Sequence, residues 1–211
     1  MTKNEDYYGY TRSEVAKFVP DNIKSILDVG CGMGDFLLYI KKQTGAETWG
    51  IELVDQMAEK ALDRVDHVYS GKVEDVLDKL DNAIFDCITF NDVLEHLLKP
   101  KEILELIKAK LSKNGLIIAS IPNVRFFDNL FELIVKKDWC YKDAGILDHT
   151  HLRFFTKKSA IRIFEDAGYK VTEVNGINKK NSWKFDLFNL LTLGTFSDTQ
   201  YRQFVFMAIA K

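Results

Sequence analysis

The stretch Ile26-Leu27-Asp28-Val29-Gly30-Cys31-Gly32-Met33-Gly34-Asp35-Phe36 decides how the chain is read. It runs apolar, places an acid at Asp28, passes three glycines at alternate positions, and continues into an amphipathic segment. A short apolar run ended by glycines and followed by helical periodicity is a strand, a tight turn and a helix. In an open parallel sheet such a turn lies beyond the carboxyl end of a strand, where ligands bind.

The same alternation continues downstream. Ser25 to Val29 is the first strand and Asp35 to Gln43 the helix after it; Glu47 to Leu53 and Asp55 to Asp63 form the next pair. A short strand over His67 to Ser70 precedes a helix over Val73 to Leu80, and Ile84 to Phe90 is a fourth strand. Lys101 to Leu111 carries a helical apolar stripe that Asn114-Gly115 is expected to stop, before a fifth strand over Leu116 to Ile121. Residues 123–156 then break the pattern as an insertion, with apolar positions 127, 130, 131 and 134 at helical spacing. A helix over Lys157 to Ala167 closed by Gly168, a strand over Lys170 to Asn175 and a last strand over Gln203 to Ala210 complete the chain. Apolar strands alternating with amphipathic helices predict an α/β fold, a doubly wound and mostly parallel sheet covered on both faces. One domain over residues 1–211 is expected, with 123–156 and 178–198 as insertions or a lid on the substrate side.

Bulk properties narrow the classes. The formal net charge of -2 argues against nucleic acid as a partner. No apolar run approaches the roughly 20 residues that cross a bilayer, and the polar start MTKNEDYYGYTRSE has no signal-peptide core. Cys31, Cys87 and Cys140 form no CxxC pair, which suits a reducing cytoplasm. The insertion and Trp183 to Leu193 are amphipathic; packing over the site is the favoured role and a homodimer contact the alternative. Neither has the basic polar face of a membrane binder, so membrane contact is not expected.

The charges around the glycines select the ligand. The dinucleotide fingerprint is GxGxxG, whose helix holds a pyrophosphate. Here the spacing is GxGxG, and Asp28 and Asp35 flank it. Carboxylates repel a pyrophosphate and attract a cation. S-adenosylmethionine carries a sulfonium and an ammonium and no phosphate. Glu52, 18 residues past Gly34, ends the second strand where an acid can take both ribose hydroxyls.

With these residues in place, the chain resembles the class I S-adenosylmethionine-dependent methyltransferases over most of residues 5–175. ILDVGCGMGDF resembles that family's first motif, GIEL (residues 50–53) its second, SGKVEDV (70–76) its third and FDCITFNDVLEH (85–96) its fourth. The resemblance implies a Rossmann-like sheet of seven strands with an antiparallel last strand. It also implies cofactor contacts from Asp28, Gly30, Cys31, Gly32 and Gly34 in the first motif, and Glu52 and Leu53 in the second. Lys72 stands where the third motif usually has Asp, so the adenine contact moves to Glu74 and the backbone at Val73. Asn91, Asp92 and His96 follow from the fourth motif, and Arg12 could pair with the methionine carboxylate, with Tyr8 beside it. S-adenosylhomocysteine would be the product.

Two further segments sharpen the resemblance. NDVLEH is similar to a segment of ubiquinone-pathway O-methyltransferases whose ExxEH triplet is linked to a metal; the counterpart here is Asp92, Glu95 and His96. The reading adopted assigns no metal: Asp92 lies near the cofactor, and Glu95 and His96 anchor the next segment. ILDHTHLRFFT (146–156) resembles a signature of bacterial methyltransferases linked to surface polysaccharides and glycans. An alcohol acceptor must lose a proton, for which histidine titrates in the useful range. His149 and His151, two apart, would share a face of an extended segment. One of them is the expected general base, with Asp148 orienting it and Arg153 binding an acidic substrate group. His67 is read as structural. The expected reaction is O-methylation of a small molecule, a sugar or glycan precursor first and a quinone-like or phenolic acceptor second. The rival classes are a nicotinamide oxidoreductase on the same layered fold and a cofactor-binding protein without turnover.

Overall fold

The computed structural model describes residues 11–211, the side chain of Lys184 apart. Strands β1 (Ser25–Val29), β2 (Glu47–Glu52), β3 (His67–Ser70), β4 (Phe85–Asn91) and β5 (Leu111–Pro122) lie parallel. β6 (Tyr169–Lys179) and β7 (Tyr201–Ala210) complete a seven-stranded sheet in the order β3-β2-β1-β4-β5-β7-β6, with β7 antiparallel to both of its neighbours. The helices are α1 (Ser13–Ala16), α2 (Asp35–Thr44), α3 (Asp55–Ala61), α4 (Val73–Leu77), α5 (Pro100–Ile107), α6 (Phe127–Phe131), α7 (Lys157–Asp166) and α8 (Trp183–Leu191).

Both faces of the sheet are covered, as its apolar strands require. On one face Val73, Val76 and Leu77 of α4, Ile103, Leu104 and Ile107 of α5, and Ala160 and Phe164 of α7 meet Phe85, Ile88 and Phe90. On the other, Val15, Leu37, Ile40 and Ala61 from α1, α2 and α3 meet Ile26, Cys87 and Ile118. Strand order reverses between β2 and β4 on either side of β1. A crevice therefore opens at the carboxyl end of β1, where the glycine turn lies.

Three sequence expectations need correction. Asn114 and Gly115 do not stop a helix: α5 ends at Ile107, a 3₁₀ turn covers Lys108–Lys110, and β5 already begins at Leu111. Its partner strand explains this, because Leu111 pairs with Phe85 and the register shifts before Leu116 meets Cys87. The last two strands pair through Lys179 and Tyr201, so β6 runs four residues beyond the expected Asn175. Nor is the insertion stripe a single buried helix. α6 passes into a π turn over Glu132–Lys136, and Phe131, Leu133, Ile134 and Val135 stay exposed. Phe127 does pack on Phe185 and Phe188 of α8, with ring centroids 5.8 and 5.6 Å apart. The rest of the insertion gathers on a small cluster of Phe126, Ile146 and Leu147. No helix among the described residues is long and apolar enough to cross a membrane.

Candidate cofactor and acceptor site

The glycine turn owes its shape to close neighbours. Gly30 has φ +77°, and a Cβ there would lie 2.6 Å from Val93 Cγ2. Gly34, φ +81°, starts α2, and a Cβ would meet Val65 Cγ2 at 2.6 Å. Gly34 does not line the crevice; it lets α2 approach the chain after α3, a packing role rather than the expected cofactor contact.

The turn also consumes its own hydrogen-bond donors. Gly30 and Cys31 N–H both donate to the Ile51 carbonyl, at 2.7 and 3.1 Å, and Gly34 N–H donates to the Cys31 carbonyl at 3.0 Å. Gly32 N–H donates to Glu52 Oε2 at 2.9 Å, while Val54 N–H donates to Glu52 Oε1 at 2.9 Å. The Glu52 carboxylate is thereby fixed at the rim of the crevice with acceptor capacity to spare. A pyrophosphate cradle needs these amides pointing outward. Here they are spent inward.

The crevice has a volume of about 910 Å³. Of the residues expected to hold cofactor, Arg12, Asp28, Gly30, Cys31, Gly32, Glu52, Leu53, Val73, Glu74, Asn91, Asp92 and His96 line it. Tyr8 lies outside the described residues. Asp35 is not among the lining residues, and its carboxylate lies 3.7 Å from Arg64 Nε, so it adds no charge to the crevice wall. Asp28 is buried beneath the turn, where Thr89 Oγ1 and Asn91 Nδ2 donate to its Oδ1 at 2.6 and 3.1 Å. Burial raises its pKa to about 7, against which those two hydrogen bonds pull down.

Asp92 is the hub of the opposite wall. Its backbone is left-handed, φ +55°, and its N–H donates to the Ser120 carbonyl and Oγ. Arg12 pairs with its carboxylate, Ser120 Oγ donates to Oδ1 at 2.8 Å, and Gln203 Nε2 lies 2.7 Å from both oxygens. Gln203, Asn178 and Arg202 also line the crevice, and no motif announced them. They arrive through the antiparallel β6–β7 pair, a contact between residues far apart in sequence.

The DHTH segment is not extended, and its histidines do not share a face. His149 is exposed, with Nε2 3.1 Å from the exposed Asp143, and it does not line the crevice. As a general base it is misplaced. Asp148 Oδ1 accepts from the backbone N–H and hydroxyl of Thr150, at 2.8 and 2.7 Å, which shapes the turn. Arg153 is exposed and its guanidinium donates to the Leu98 and Leu152 carbonyls, so it ties the insertion to the segment between β4 and α5 instead of facing an acceptor. His67 stacks on Trp49 at 3.8 Å and meets Glu47 at 2.8 Å, a structural role.

His151 is buried and lines the crevice. Its Nδ1 lies 2.9 Å from the Ile146 carbonyl, which only accepts, so Nδ1 is the donor of that pair. Its Nε2 is 3.9 Å from Glu95 Oε1. His96 meets His151 edge to face at 4.6 Å, and its own Nδ1 lies 3.1 Å from the Thr150 carbonyl. Glu95 is 1% exposed, and neither of its carboxylate oxygens has a hydrogen-bond partner among the described residues. Burial, with the charges of Asp92 and Asp148 adding to it, holds its carboxyl well above the usual range. Glu95, His96 and His151 present donor atoms within 4.8 Å of one another. This set differs from the Asp92, Glu95, His96 triplet expected from the resemblance. One carboxylate and two imidazoles, each with Nδ1 at a backbone carbonyl, fit a borderline divalent ion.

Comparison with known proteins fixes the family. A family model described as "Methyltransferase domain" matches residues 4–174. The chain belongs to that family. A ubiquinone biosynthesis O-methyltransferase of Idiomarina loihiensis is 28% identical over 165 residues, covering 73% of this chain and 65% of that one. The mitochondrial ubiquinone biosynthesis O-methyltransferase of Schizosaccharomyces pombe is 22% identical over 172 residues, covering 77% and 62%. The matched region thus spans a little under two thirds of these relatives' length. The fold matches the crystal structure of a SAM-dependent methyltransferase from Archaeoglobus fulgidus, with a TM-score of 0.69 and 17% identity over 97% of this chain and 94% of that one.

Proposed function

We propose that this methyltransferase-family chain uses S-adenosylmethionine to methylate an oxygen of a small-molecule acceptor. The observation that carries the cofactor is the glycine turn, where the N–H groups of Gly30, Cys31, Gly32 and Gly34 are satisfied internally, beside a Glu52 carboxylate fixed to receive ribose hydroxyls. Under this reading the nicotinamide alternative is disfavoured, because those four N–H groups are not offered to a pyrophosphate and Asp28 stands beside them. The acceptor oxygen attacks the sulfonium methyl in line; the carbon–sulfur bond breaks with its electron pair going to sulfur, leaving neutral S-adenosylhomocysteine. Alignment supplies much of the acceleration. The acceptor proton passes to His151 Nε2, since Nδ1 is held at the Ile146 carbonyl. Glu95 Oε1 lies 3.9 Å from Nε2.

The orphaned Glu95 carboxylate favours a second reading of the same cluster. Glu95, His96 and His151 would hold a divalent ion, which would lower the pKa of an acceptor hydroxyl. Dialysis against a chelator separates the two: activity that survives leaves His151 as the base, and activity lost and restored by zinc assigns the ion.

The favoured acceptor is a sugar or glycan precursor, on the resemblance of the segment at 146–156. The phenolic alternative draws on the names of the ubiquinone-pathway relatives. Methyl-labelled S-adenosylmethionine incubated with a panel of sugars and catechols tests it. Label in a sugar is the expected result, and label only in phenols would favour the alternative.

A further inference from the structure

We infer that the acceptor carries a phosphate group, held in a second chamber beside the cofactor crevice. The methyltransferase reading supplies the acceptor, while the chamber stands on its own geometry. A cavity of about 440 Å³ lies between the start of α6, the loop at 142–147, the end of β6 and the start of β7. It shares Gly145, Ile146, Asn178 and Arg202 with the crevice, so one molecule can occupy both.

The chamber is short of negative charge. Lys142, Lys179, Lys180 and Arg202 line it, against a single carboxylate, Asp128. Lys180 Nζ lies 2.6 Å from each Asp128 oxygen, and Lys142 lies 3.3 Å from Glu132. Among the described residues Lys179 and Arg202 have no carboxylate partner. The Arg202 guanidinium rests over the Phe126 ring at 5.8 Å, which holds its fork without neutralising it.

An independent observation points the same way. Asn129 is 8% exposed and lines the chamber, yet its Nδ2 has no hydrogen-bond partner among the described residues. A buried donor left open is costly, so a ligand acceptor is expected there. Asn129, Lys179 and Arg202 come from three different elements. Donors around a chamber suit a tetrahedral group with three acceptor oxygens better than a planar carboxylate with two. The chamber also communicates with the crevice. Asn178 Nδ2 donates to Gln203 Oε1 at 2.7 Å, and Gln203 in turn holds Asp92. A phosphate in the chamber therefore sets the register of the acceptor against the methyl donor.

Calorimetry on the whole chain saturated with S-adenosylhomocysteine tests the inference, using inorganic pyrophosphate, glucose 1-phosphate, uridine diphosphate and glucuronate as probes. At least one phosphate probe is expected to bind with a Kd below about 1 mM. Binding should weaken at least about tenfold in K179Q and in N129D, with S-adenosylhomocysteine affinity unchanged as the check on folding. Preference between the second and third probes tells a sugar phosphate from a nucleotide diphosphate. Phosphate probes that do not bind, that bind no better than glucuronate, or that bind both variants as well as wild type would overturn the inference. Phosphate binding without S-adenosylhomocysteine binding would sink the methyltransferase reading and leave the chamber standing.

Discussion

Asp28 is where pH acts on this molecule. Its carboxyl, buried under the glycine turn, titrates at about 7, whereas an unfolded aspartate titrates near about 3.9. Between those values the folded chain keeps a proton that the unfolded chain has released. Stability from this group therefore falls as pH rises from about 4 to about 7 and levels above that. Asp28→Asn is expected to be more stable than wild type at pH 8 and to converge with it near pH 5, read by denaturant melts. A cationic ligand prefers the ionised form, so wild-type affinity for S-adenosylmethionine should rise between pH 6 and pH 8 and stay flat in the variant. Gly30→Ala forces a side chain into positive φ and onto Val93, a strain of about 1–3 kcal/mol; cofactor affinity should drop at least tenfold by calorimetry. The two histidines divide cleanly. His151→Asn should lower kcat by about 10²–10⁴ with little change in cofactor affinity, whereas His149→Asn should leave both near wild type. The reverse pattern would remove His151 from the mechanism.

At the scale of elements, local signals decide what the sequence reveals. β1 begins and ends where its apolar run does, because burial on both faces and the glycine turn act within a few residues. Helix α7 is equally local: Thr156 and Ser159 form a reciprocal capping box. Thr156→Ala should cost about 1 kcal/mol and lower Tm by about 2–4 °C for a chain of this size. The early start of β5 was hidden, since Leu111 belongs to a strand only because Phe85 pairs with it across the sheet. The same holds for the site. Asp28, Glu52, Gly30 and Gly32 were legible because strand-end chemistry fixes them, whereas the packing role of Gly34 against Val65 was not. His151 beside Glu95, and Gln203 on Asp92, depend on how the insertion and β7 fold back, which spacing alone does not encode.

At the scale of the whole molecule, one sheet carries the parts of the site. Asp28, Glu52 and Asp92 sit at the ends of β1, β2 and β4, and Gln203 is brought by β7. A ligand that bridges these strands should stabilise the sheet as a unit. S-adenosylhomocysteine at about 100 times its Kd is expected to add about 2.7 kcal/mol and raise the Tm by several degrees in thermal melts. The exposed apolar side chains of the π turn and of α8, Ile134 and Leu191 among them, lie outside that unit and should not alter the shift. The central claim is that a turn with four of its amides turned inward, beside fixed carboxylates, accepts a cationic adenosyl ligand and refuses a diphosphate. Side-by-side calorimetric titration with S-adenosylmethionine and NAD tests it most directly. The account predicts micromolar uptake of the first and no measurable heat from the second; tight NAD binding with none of S-adenosylmethionine would contradict it.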